Sequence, residues 1–365
     1  MKLYRIGIHE KKLLFSTKSE NTTVYDKKKD LMDMKCEIDK CDPRKWEEVK
    51  KQHNQYEYIY TSSKQNNNIC KVIPVSRSYF KLHEIIKNKH LLEDKIYCAC
   101  LAEGPGGFIH CLNNYVFGSN KVIYKVFGIT LISDDKSIPY WNQIILNHRM
   151  NLISNGKDNT GNLYNYENAK EFIQTINLNH CHLVTADGGF DYSKNYNSQE
   201  DNSYKLIYSE IFVALNIQKL RGNFVLKVFD LFNYKTIQLI YLLYNCYSII
   251  EIYKPLTSRN SNSEKYIICS QFEGCSSSIK EKLKEYYDKC EEIHIDIPES
   301  FIKDINDFND IFVSSQIQSI HDIIKDIKTS IKSNSKYPLK SQITNAIRWC
   351  ELYNLPINEN CIYLK

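Results

Sequence analysis

The chain has 365 residues, 48 Lys and Arg against 43 Asp and Glu, a formal net charge of +5, and is 42% hydrophobic and 25% charged. This composition excludes a mainly disordered chain and allows one full α/β core with extensions, while the small basic excess suits an anionic partner without identifying one. The most apolar run, residues 239–252, contains Asn245, Ser248 and Glu251 and is too short to span a bilayer as a helix, so no membrane partner is expected; thirteen cysteines without a secretory leader point to a reducing compartment, the cytoplasm.

Residues 1–70, with charged segments at 27–30 and 46–51, read as an N-terminal extension packed on the main domain and ending in the polar stretch 61–68. Tyr79, Leu82, Ile85 and Ile86 recur at helical spacing and predict a helix over 78–87, leaving Lys81 and Glu84 on another side. A short buried strand is predicted at 96–101, a turn through Glu103, Gly104, Pro105, Gly106 and Gly107, a helix from Phe108 to Tyr115, and a strand at 121–131. The apolar run 181–186 ends at Asp187, the carboxyl end of a strand, where open parallel sheets carry binding and catalytic groups. A helix over 206–220 precedes a strand at 223–229 that carries Lys227, then a helix at 236–244 and strands at 247–253 and 264–270. This alternation predicts an α/β domain over 71–274 with a mostly parallel sheet and helices on both faces. Residues 275–365 show helical spacings at 279–287, 301–308, 317–331 and 342–353 and read as a mainly helical appendage.

The turn at 101–108 is neither a P-loop nor the GxGxxG dinucleotide pattern. Glycines directly after a strand let the backbone approach a ligand, so the turn suits an adenosyl group, and an ordinary tight strand-to-helix turn is its plain alternative. Gly128 follows the next strand, and Asp158 sits in the polar turn 158–163 as a plausible cofactor contact; Glu103 either binds the polar end of the cofactor or solvates its turn. Arg77, Lys254 and Arg259 are candidate phosphate contacts, with Ser258 in the same loop, and Tyr79, Tyr253 and Tyr266 are aromatic candidates for base stacking or for the core. Cys98, Cys100, His110, Cys111, His180, Cys181 and His182 form no zinc set at recognisable spacing, and no metal is expected.

Several segments occur in a telling order: residues 76–81, the turn 103–108, the Thr185 to Phe190 segment with Asp187, Gly222 to Asp230 with Lys227, and Lys254 to Tyr266 with Glu264. Together they resemble the FtsJ-like, or RrmJ-like, ribose methyltransferase family, and within it the mRNA cap-methylating branch, including chains that a large cytoplasmic DNA virus would encode and package in its virion. The branch is favoured by residues 128–131, by 138–141 and by the Asp187 to Asp191 motif. The resemblance implies a Rossmann-like fold, S-adenosyl-L-methionine as methyl donor, RNA (capped mRNA first, ribosomal or transfer RNA otherwise) as acceptor, and a capping or transcription protein as partner. It aligns Lys81, Asp187, Lys227 and Glu264 with the family's Lys-Asp-Lys-Glu tetrad. On that alignment Lys227 is the expected base: a neighbouring Lys81 can depress its pKa, Asp187 and Glu264 orient lysines and ribose but oppose that deprotonation, and geometry decides the balance. Two positions depart from the pattern: Cys100 and Asn162 stand where acidic residues are common. These departures motivate the alternative of a catalytically weak RNA-binding or complex-organising protein.

Overall fold

The computed structural model describes residues 2–16, 23–92, 95–115, 123–177, 179–189, 198–289, 291–329 and 338–365; Phe190 and Asp191 of the expected motif lie outside them. In chain order the elements are β1 (Lys2–Arg5), α1 (Lys28–Ile38), α2 (Pro43–Gln52), α3 (Ser78–Lys89), β2 (Ile96–Leu101), α4 (Gly107–Tyr115), β3 (Ile123–Ile129), α5 (Gln143–Leu146), β4 (Asn151–Ser154) and α6 (Tyr166–Ile176). There follow β5 (Cys181–Ala186), α7 (Gln199–Ile217), β6 (Gln218–Val228), α8 (Tyr234–Cys246), β7 (Tyr247–Lys254), β8 (Lys265–Phe272), α9 (Ser277–Lys289), α10 (Glu299–Thr329) and α11 (Lys340–Leu352).

The sheet has eight strands in the order β1-β7-β8-β6-β5-β2-β3-β4. The run β6-β5-β2-β3-β4 is parallel, while β8 is inserted antiparallel between β6 and β7, and β1 pairs antiparallel with β7. Helices cover both faces, as expected. Strand side chains alternate between faces, so Ala99, Leu101, Val184, Ala186, Phe224 and Leu226 join one core with α6, α7 and α8. Cys98, Cys100, Leu183 and Val225 join the other with α3, α4 and α11. The same parity places Asp187 and Lys227 on the α3 side of the sheet.

Some expectations are corrected. Residues 1–70, expected to pack on the main domain, also extend its sheet: β1 is an edge strand, with Leu3 opposite Tyr253. The two helices expected at 301–308 and 317–331 are one helix, α10, running unbroken through 309–316. The helix expected over 206–220 stops at Ile217, where Gln218 leaves to pair with Cys181 and its amide donates to the Cys181 carbonyl at 2.9 Å. Strand β4 has only four residues, too few to show a period, whereas α6 carries a legible stripe (Ala169, Phe172, Ile176) and an Asn165 cap on the Glu167 N–H.

Candidate active site

Strands β5 and β6 are parallel and β8 runs against β6, so the ends of the first two and the start of the third meet at one sheet edge. Asp187 leaves β5 there, Lys227 stands opposite Tyr266 in the β6–β8 register, and Glu264 immediately precedes β8. The Lys227 ammonium donates to the Asp187 carbonyl at 2.6 Å and lies 3.3 Å from the Asp187 carboxylate. Tyr266 donates its hydroxyl to the same carboxylate at 2.9 Å. From α3, Lys81 reaches both oxygens of Glu264, at 2.7 and 2.8 Å. The four expected side chains therefore form two ion pairs, Lys81–Glu264 and Lys227–Asp187.

Their electrostatics decide the balance left open by the sequence. Burial presses the Lys227 pKa down, but Asp187, Glu264 and Glu210 outweigh it and the net shift is upward. Lys227 is thus an ammonium in this site, not a lysine depressed by a neighbouring cation. Glu264 is pushed up by burial but held at about 2 by Lys81, Lys227 and Lys254. Glu210, a buried residue of α7, was not singled out from the sequence. A Cβ on Gly188 would strike its Oε1, and a Cβ on Gly189 would come 3.0 Å from the Lys227 Nζ. The paired glycines after Asp187 leave room for these two groups.

Asp187, Lys227 and Glu264 line the middle of a cavity of about 620 Å³. One end is formed by Ala102, Gly104, Thr130, Leu131, Pro139 and residues 161–164, the other by α1, α2, the loop 261–263 and Gln316. The first end offers an amide at Asn162, backbone close to the space at Gly104, and apolar walls at Leu131, Leu163 and Tyr164, a mixture that fits an adenosyl group with its polar tail.

Several expected cofactor contacts lie elsewhere. Asp158 points to solvent and its carboxylate is used by its own turn, by the Thr160 N–H and hydroxyl and the Asn165 amide. Gly128 is a packing position, where a Cβ would sit 2.8 Å from Ile153 and 3.2 Å from Trp141. Gly106 (φ +104°) and Gly107 likewise leave space for Ile145 and for Ser78. Phe108 is buried against Tyr266, and Pro105, on the turn, accepts the Asn142 N–H through its carbonyl. Glu103 is buried, bonded to the Thr185 hydroxyl, and burial holds it well above the ordinary carboxylate range. Cys100 accepts from the same hydroxyl at 3.3 Å, so the acidic group stands at 103 rather than at 100. Asn162 does line the cavity, its side-chain oxygen accepting the Tyr164 N–H at 2.9 Å.

The residues expected at phosphates are engaged within the protein. Arg77 and Arg259 both clamp Glu57, a buried carboxylate of the N-terminal segment, with Arg259 at 2.7 and 3.1 Å. Lys254 is buried and donates to the carbonyls of Asn262 and Glu264 at 2.6 and 2.7 Å. Ser258 is buried and donates to the Glu264 carboxylate at 3.1 Å. These residues build the loop that delivers Glu264. Tyr79, Tyr253 and Tyr266 are all in the core.

Comparison with known proteins agrees with this arrangement. Residues 74–272 match the model of the FtsJ-like methyltransferase family. A mouse protein named cap-specific mRNA (nucleoside-2'-O-)-methyltransferase 1 is 31% identical over 235 residues, covering 61% of this chain and 28% of its own length. Its human namesake is 29% identical over 244 residues, covering 62% and 29%. The namesake from Dictyostelium discoideum is 31% identical over 250 residues, covering 64% and 33%. The chain thus spans about a third or less of the length of these relatives. With its Rossmann-like sheet and a family match that spans Lys81, Asp187, Lys227 and Glu264, the chain belongs to the FtsJ-like methyltransferases.

Proposed function

We propose that this chain is an S-adenosylmethionine-dependent RNA ribose 2'-O-methyltransferase acting on a cap-proximal nucleotide of mRNA. One observation carries the reading: Asp187, Lys227 and Glu264, drawn from both ion pairs, line a single cavity of about 620 Å³ together with the turn at Gly104, residues 161–164 and the loop 261–263. The part of the cavity lined by Gly104, Leu131 and residues 161–164 takes the methyl donor, and the part lined by the loop 261–263 takes the acceptor ribose.

When bound, S-adenosylmethionine supplies an electrophilic methyl group. The alcohol oxygen must be held in line with it, and such alignment is worth ~7–11 kcal/mol of the barrier. Lys227, kept as an ammonium by its carboxylates, donates to the ribose oxygen and turns a lone pair toward the methyl carbon. Methyl transfer would break the carbon–sulfur bond, its electron pair leaving on the thioether sulfur, and the acidified ribose proton would pass to one of the facing carboxylates, Asp187 or Glu264. Lys81, on both oxygens of Glu264, keeps that carboxylate at the cavity.

The names of the relatives favour capped mRNA over ribosomal or transfer RNA, and the cysteine usage favours the cytoplasm as compartment. Labelled donor incubated with capped and uncapped RNA, followed by mapping of the methylated nucleotide, is the test. Transfer to a ribose next to the cap is expected; equal labelling of uncapped RNA rejects the cap preference, and donor binding without transfer to any RNA favours the catalytically weak alternative.

A further inference from the structure

Glu84, three residues beyond Lys81 on α3, is fully buried and takes no part in the tetrad. Among the described residues it has no cationic partner. Its Oε1 accepts the Tyr253 hydroxyl at 2.7 Å and the Leu256 N–H at 2.8 Å. Its Oε2 accepts the Thr257 N–H and hydroxyl, at 3.4 and 3.3 Å, and the Trp349 indole N–H at 3.2 Å. Every one of these is a donor, and two come from consecutive backbone amides of the segment after β7. A buried carboxyl that gathers main-chain N–H groups of an irregular segment fixes that segment's path, because those amides have no strand partner to satisfy them.

The segment in question leads straight to the site. Ser258 N–H closes a turn on the Pro255 carbonyl, and Ser258 Oγ then holds the Glu264 carboxylate. Helix α3 therefore grips this loop at two points one helical turn apart: Lys81 on the acid itself and Glu84 on the backbone that presents it. Trp349 lies on α11, outside residues 74–272, so the terminal helix enters the same network.

We propose that Glu84 is a positioning residue for Glu264, and that α11 is coupled to the tetrad through the Trp349 to Glu84 hydrogen bond. This rests on the tetrad reading above. Glu84→Gln turns one acceptor oxygen into a donor facing other donors and loosens the loop; Trp349→Phe removes a single N–H while keeping an aromatic ring in the core.

The test is steady-state methyl transfer by the full chain, with thermal melting and calorimetric donor binding alongside. Since a misplacement of order 1 Å in an aligned site costs about 100-fold in rate, Glu84→Gln should lower kcat by about 10- to 100-fold with donor affinity and KM for RNA little changed. Trp349→Phe should lower kcat in the same manner but less, and the double variant should fall no further than Glu84→Gln, the signature of one shared network. Unchanged kcat in folded Glu84→Gln, or losses in KM alone, overturns the proposal. If Glu84→Gln does not fold, Thr257→Val and Trp349→Phe decide, and wild-type kcat in both overturns it. Glu264→Gln is the control: full activity there means that the tetrad reading has failed, whereas an inactive Glu264→Gln beside a fully active Glu84→Gln means that only the positioning role has.

Discussion

The Lys227 ammonium is held by both the side chain and the main chain of Asp187, 3.3 Å from the carboxylate and 2.6 Å from the carbonyl. A lysine fixed at two points of the same strand end keeps its place whether or not substrate is bound. Removing it should cost the reaction its oxygen-orienting donor and leave the cavity lining at Gly104 and residues 161–164 intact. Lys227→Ala is expected to lose transfer by about 100- to 10,000-fold, the range for a positioned proton-handling group, with donor affinity unchanged by calorimetry. Wild-type turnover in the folded variant would remove Lys227 from the mechanism.

Acid stability tests the second ion pair. Glu264 is held at about 2 against an ordinary 4.5, because Lys81, Lys227 and Lys254 outweigh its burial. A carboxylate depressed by folding adds stability that is complete above its ordinary pKa and disappears as pH falls toward its folded pKa. Compared with Glu264→Gln by denaturant titration, the wild-type chain should show a stability difference that is flat above about pH 5 and shifts against it between 4.5 and 2. A difference that does not change down to pH 3 would mean that the carboxylate is not held by the lysines.

The glycine turn and the polar turn should respond in opposite ways to substitution. A Cβ on Gly107 would meet Ser78 Oγ and come 3.0 Å from the Tyr79 nitrogen, so Gly107→Ala should cost about 1–3 kcal/mol of stability, seen as a lowered Tm, before any effect on the ligand. Asp158→Asn, at an exposed residue that does not line the cavity, should leave donor affinity within about twofold, since the amide oxygen still accepts from Thr160. A large loss of donor affinity in Asp158→Asn would return that residue to the pocket.

Removal of residues from 299 onward would strip out more than an accessory surface. Gln316 on α10 donates to the Ser261 carbonyl and the Ser263 hydroxyl, both at 3.1 Å, and Trp349 on α11 caps Glu84. Helix α10 also buries Phe301, Ile305, Phe308 and Phe312 in the main core. The truncated chain is expected to lose the cooperative thermal transition of the full chain and its transfer activity together. A truncated chain with native melting and turnover would make the helices dispensable.

Periodicity and motif order determined much of this protein: the alternating elements, the strand ends bearing Asp187 and Lys227, the glycine turn, and the four charged residues that pair in the site. These are local signals, carried by spacing along one strand or helix. What tertiary structure alone decided is how each charge is used. Arg77, Arg259 and Lys254 look like a basic rim in the sequence, yet Glu57 and two backbone carbonyls take them up, from segments brought close only by folding. Glu84 and Glu210 carry no motif and lie on helices as ordinary acids, but burial beside the site gives them their place. The proton affinity of Lys227 follows from three carboxylates that reach it from three different elements. Coulomb interaction and desolvation depend on distance through space, and distance through space is what a linear pattern does not contain.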